Sequence, residues 1–108
     1  MKAIINLTPH SIVIVDDDNN IVRTIEPSGT VARVSAKTVR TGEFDGIPLS
    51  ATEFGEVVDL PGPTEETVFV VSSLVASRVP ERVDVLIPNE SVRDEKGRIV
   101  GCRSLGHI

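Results

Sequence analysis

The chain has 108 residues, a formal net charge of −5, one cysteine and only Phe44, Phe54 and Phe69 as aromatic side chains. That length supports a single domain, residues 1–108, built on a modest core of Val, Ile and Leu. The acidic balance argues against general DNA, RNA or anionic membrane binding, which rests on many Lys and Arg contacts to phosphate. The lone Cys102 excludes an intramolecular disulfide framework and a Cys-rich zinc site, and it fits a reducing, cytoplasmic setting.

In chain order, Ala3 to Leu7 and Ser11 to Val15 are rich in β-branched residues and read as strands, with a bend at Pro9 between them. Ile21 to Ile25 alternates on one face, so "SIVIVDDDNNIVRTI" reads as a hairpin whose turn is the Asp/Asn run. Pro27-Ser28-Gly29 marks a turn, and Thr30 to Ser35 a further strand. Between Lys37 and Pro63, seven Gly and Pro residues interrupt the pattern. The segment reads as a long acidic connection with one strand, "EVVDL", inside it.

"TVFVV", residues 67 to 71, suits a central buried strand. Leu74 to Val79 reads as a turn or two of helix with Ser73 as N-cap and Pro80 as its stop. Val83 to Ile87 returns as a strand, and "SVRDEKGRIVGCRSL" closes as a second hairpin around Asp94-Glu95-Lys96-Gly97. The expected class is α+β or mainly β: about six to eight short, mostly antiparallel strands with one short helix. No apolar run approaches the roughly 20 residues that span a bilayer. Met1-Lys2 leads straight into a strand, so no secretory signal is expected.

Two places carry candidate chemistry. The strand that runs through Ser72 and Ser73 into a helix start offers hydroxyls and free N–H groups to an anion, and Arg78 and Arg82 follow closely as forked phosphate donors. Arg103 joins them, beside a Gly101 that marks a bulge or a close backbone approach. The second place is the bend, where Asn6, Thr8 and His10 present an amide, a hydroxyl and an imidazole able to meet a nucleobase edge or ribose hydroxyls. If these residues act together, they should lie beside the Ser72-Ser73 helix start or Arg103. No catalytic residue, metal set or cofactor motif is read: His10 and His107 come without a nucleophile elbow, and the carboxylates lack ligand spacing. Asn6 and Thr8 equally suit a purely local task, satisfying the backbone of the bend.

The segments "INLTPHSIVIV", "VFVVSSLVASRVPERVDVLIP" and "VRDEKGRIVGCRSL", in this order, resemble a family of small proteins encoded by phages, prophages and some bacteria. The resemblance covers roughly half the chain and skips the acidic middle. Phage proteins of this size include inhibitors of host defence called sponges, usually oligomers, which bind a cyclic-nucleotide or ADP-ribose-type immune signal and withhold it. By that analogy Asn6, Thr8 and His10 face the base or ribose, and Ser72, Ser73, Arg78, Arg82 and Arg103 the phosphates. The expectation is non-catalytic capture of a nucleotide-derived small molecule by a homo-oligomer in the host cytoplasm. The alternative is a protein-binding inhibitor or virion/host interaction protein that uses residues 41–66, which hold seven acids and no base. A nucleotide-cleaving enzyme with His10 as acid or base is a third reading.

Overall fold

Runs of β-branched residues between turn signals form eight strands and one short helix in the computed structural model, which describes residues 2–108. These are β1 (Ala3–Asn6), β2 (Ile12–Val15), β3 (Ile21–Ile25), β4 (Arg33–Phe44), β5 (Ile47–Val58), β6 (Thr67–Val70), α1 (Ser73–Ser77), β7 (Val85–Arg93) and β8 (Ile99–Gly106). The mainly β class with a single short helix is as expected. Six strands form one sheet in the order β1-β6-β7-β8-β2-β3, while β4 and β5 pair with each other. Three ladders are antiparallel, β2 with β3, β4 with β5 and β7 with β8, and they include the two longest, β4 with β5 and β7 with β8. β6 runs parallel to both β1 and β7, and β2 meets β8 in parallel at Ile14 and Cys102. An isolated parallel bridge between Asn6 and Pro27 draws the two outer strands together at one end, so the sheet curls towards a barrel.

β6 is the hub of the core, as its unbroken apolar run requires. Phe69 and Val71 point to one side, with Leu7, Ala32, Val75, Ala76 and Val85. Val70 points to the other, with Ile12, Ile25 and Cys102. Both hairpin turns of the sheet use one device, a leading Asp that gathers backbone N–H groups. Asp16 Oδ1 accepts from Asp18 N and Asn20 N at 2.9 Å each, and Asp94 Oδ1 from Lys96 N at 2.9 Å and Arg98 N at 3.0 Å. Bonds from the Asn20 and Arg98 N–H groups foremost hold these two carboxyls below their ordinary range.

Residues 37–63 are not the long connection expected from the sequence. β4 and β5 form a ribbon of 12 residues each, turned at Asp45 (φ 49°) and Gly46 (φ 79°). Two consecutive positive φ angles make the two-residue hairpin turn whose twist suits its strands, and Asp-Gly is its usual sequence. The internal interruptions are absorbed by register shifts between Val34 and Ala36 and between Arg40 and Gly42. A two-stranded ribbon has only free outer edges, which is where a Pro such as Pro48 is tolerated. The ribbon stretches the molecule to 52 × 39 × 23 Å with a radius of gyration of 17.0 Å, against about 13 Å for a compact domain of this length.

Smaller differences also have local causes. The strand expected at Thr30 to Ser35 begins at Arg33 and continues into the ribbon, and the one expected at Val83 begins at Val85. The N-cap of α1 is Ser72 rather than Ser73: Ser72 is extended (φ −70°, ψ 159°) and its Oγ accepts from Val75 N at 3.4 Å. Gly101 does mark a close approach, and the visitor is the chain's own β2. A Cβ there would lie 3.0 Å from the Val13 carbonyl oxygen. Among the described residues no helix is long and apolar enough to cross a membrane.

Candidate functional site

The bend after β1 is organised by Asn6, which is buried to 1% exposure. Its Nδ2 donates to the carbonyl oxygens of His10 at 2.8 Å and Ile25 at 3.0 Å. Its Oδ1 accepts from Thr8 N at 2.9 Å and Thr8 Oγ1 at 2.6 Å. Two donors and two acceptor positions are thus all occupied within the chain. Asn6 is a strut beneath the site, and its amide holds the backbone that presents Thr8 and His10.

Above that strut, Thr8, His10 and Ser11 line a groove of about 490 Å³ together with Ser72 and Ser73 from the start of α1. Ser91 of β7 completes the hydroxyl set, and Ile12, Val13, Val71, Pro88 and Ile99 to Cys102 supply apolar walls. Parallel pairing of β1 with β6 explains the meeting. Asn6 is in register with Val70, so the chain leaves both strands at the same end, one into the bend and the other into α1. Leu7 N donates to Val70 O at 2.8 Å and ties the two exits together. Thr8, His10, Ser72 and Ser73 therefore share one surface.

The three arginines read as phosphate ligands lie outside that groove. Arg78 stacks over the Phe54 ring, 5.0 Å from its centroid. Arg82 makes a two-pronged pair with Asp84, with Nε to Oδ1 and Nη2 to Oδ2 both at 2.8 Å, and also donates to Pro61 O at 3.0 Å. Hydrogen bonding to that guanidinium holds the Asp84 carboxyl below its ordinary range. Arg103 reaches the Asp16 carbonyl oxygen and, at 2.8 Å, Asn19 Oδ1, so it clamps the β2–β3 turn.

A cation near the site comes from the start of β4. A second groove, about 270 Å³, shares Thr8 and Ser72 with the first and continues along Pro9, Val31 to Val34 and Leu74. Arg33 is in its lining, and its guanidinium is exposed, held only loosely by Asp59 at 4.0 Å. Nothing local signals Arg33; the fold carries the base of β4 past the start of α1.

The acidic middle also changes character on folding. Lys37 faces Glu53 across the ribbon and Arg33 approaches Asp59, so bases on β4 meet acids on and after β5. Two of the segment's seven acids thus stand opposite a base. Among the described residues no group of three or more His, Cys, Asp or Glu side chains is placed to hold a metal ion. No family model, no curated protein and no solved structure matches the chain.

Proposed function

We propose that this protein binds a nucleotide-derived signalling molecule, of the cyclic dinucleotide or cyclic ADP-ribose class, and withholds it without converting it. In this reading it is a phage anti-defence protein acting as a homo-oligomer in the host cytoplasm. The observation that carries the reading is the convergence of Thr8, His10, Ser72 and Ser73, from segments some sixty residues apart in sequence, on one groove. An apolar floor edged by hydroxyls and an imidazole suits a flat heterocycle and its ribose, which stack and hydrogen-bond without needing a formal charge. The saddle at Thr8 and Ser72 leads to the second groove, so the ligand's phosphates extend towards Arg33, whose planar fork matches them. Asn6, Arg78, Arg82 and Arg103 then support the scaffold instead of touching ligand.

The test is a thermal-shift and calorimetric screen with cyclic dinucleotides and cyclic ADP-ribose, followed by chromatography of the ligand recovered after denaturation. Micromolar binding, intact recovery and loss of binding in a groove-filling Ser91→Tyr variant are expected. An altered ligand, abolished by His10→Ala, would show an enzyme instead. Absence of any shift across the panel would reject the nucleotide reading.

A further inference from the structure

The β4–β5 ribbon has two unlike faces. Val34 and Val57 are register partners at its base and pack into the core of the body. Partners across a ribbon share a face, and successive residues alternate between faces. The shift at Gly55 and Glu56 absorbs the odd residue, so Ala36 and Phe54 stay on the body's side, where Arg78 covers the Phe54 ring. Thr38 with Thr52 and Arg40 with Ser50 continue that side and are polar. The reverse side begins with Lys37 and Glu53 and then turns apolar through Val39, Ala51, Leu49, Phe44 and Ile47 to the tip. Phe44, Ile47 and Leu49 are 72%, 62% and 45% exposed. They face away from the chain's own core, so the body cannot cover them.

We propose that this apolar stripe is the interface with a second copy of the chain, packed arm on arm about a two-fold axis with the arms antiparallel. Isolated two-stranded ribbons are marginal in water at best, so this one needs a partner whenever the chain is folded, and a copy of itself is always at hand. The stripe is also self-complementary in size. With antiparallel arms the Val39/Ala51 layer meets the partner's Gly42/Leu49 layer, which sets Leu against Ala and Val against bare Gly backbone. At the ends of the stripe, Lys37 of one arm then closes over Phe44 of the other and the stem of Glu53 over Ile47, which leaves both charged groups at the solvated rim. The inference is independent of what the groove binds.

The full chain should sediment at twice its 11.6 kDa mass, or at a multiple of that dimer, down to low micromolar concentration. The double variant Phe44→Asp/Leu49→Asp should lower that mass while the body keeps a cooperative melt. A second measurement does not depend on that variant folding. Ala51→Cys, on the stripe, should give a covalent dimer with a short bis-maleimide, and Thr52→Cys, on the body's side of the ribbon, should not; the native Cys102 is buried and silent. A monomer at every concentration, an assembly that survives the double variant, or equal crosslinking at both positions would overturn the proposal. The monomeric outcome would leave the stripe to a different protein.

Discussion

The Asn6 amide bonds the Ile25 carbonyl oxygen at 3.0 Å, joining the ends of β1 and β3, two strands at opposite edges of the sheet order. One buried side chain thus closes the sheet and shapes the bend that carries Thr8 and His10. Asn6→Ala strands two carbonyl oxygens and the Thr8 N–H, and should cost about 3 kcal/mol in denaturant unfolding. Asn6→Asp should cost more, because a buried carboxylate faces those carbonyls with no proton to donate. An Asn6→Asp protein as stable as the wild type would show that the bend does not depend on this strut.

Arg33 and Arg82 separate the two roles an arginine plays here. On the nucleotide reading proposed above, Arg33→Gln should weaken binding about tenfold and flatten its salt dependence, since that reading gives Arg33 an exposed phosphate contact. Arg82→Gln should leave the affinity unchanged and lower the melting temperature. Calorimetry at two salt concentrations measures the first effect and a thermal melt the second.

The Arg82–Asp84 pair gives a signed pH dependence. The folded-state pKa of Asp84 lies below its ordinary 3.8, chiefly through the Arg82 hydrogen bonds. Above 3.8 both folded and unfolded carboxyls are ionised and the pair contributes in full. As pH falls from there through the folded pKa, the unfolded chain binds its proton first and the contribution is lost. Asp84→Asn should therefore cost about 1 kcal/mol at neutral pH, and nothing once the native carboxyl is protonated. Urea titrations of both proteins at pH 7 and pH 3 make the comparison.

Gly101 lines the groove where β8 passes the backbone of β2. Gly101→Ala would place a Cβ 3.0 Å from a backbone oxygen of β2, which has little room to yield. The expected result is a loss of about 1 to 2 kcal/mol together with weaker ligand binding, because Val13 moves with that backbone. Unchanged stability and affinity would mean that β2 is free to shift.

Cys102 is buried, and burial pushes its thiol pKa up. A thiol held protonated and out of reach should react with an aromatic disulfide reagent only at the rate of unfolding. Fast reaction of the native protein would reveal an opening of the β2–β8 seam.

Much of this architecture is readable from local chemistry. Asp16 and Asp94 announce two hairpin turns because a short carboxylate bonds nearby N–H groups whatever the rest of the chain does. Phe69 to Val71 announce a strand buried on both sides, and Pro80 bounds a helix whose start the Ser72-Ser73 pair announces, though the cap is Ser72 and not the expected Ser73. Even the Asp45-Gly46 turn was legible in principle, but Gly42, Pro48 and Gly55 broke the alternation on either side and hid a 24-residue ribbon. Those breaks are harmless there because a free-standing ribbon tolerates a missing donor and an extra residue that a central strand would not.

The site divides the same way. Sequence by itself determined that Asn6, Thr8 and His10 form a bend and that Ser72 and Ser73 begin a helix, since bends and caps are satisfied within a few residues. Only the tertiary structure decided that the bend and the cap stand side by side, because parallel pairing of β1 with β6 joins segments that have no local reason to meet. It also decided which arginines are spoken for. Phe54 and Asn19 claim Arg78 and Arg103 across the fold, Asp84 claims Arg82 from two residues away, and the exposed guanidinium beside the groove is that of Arg33.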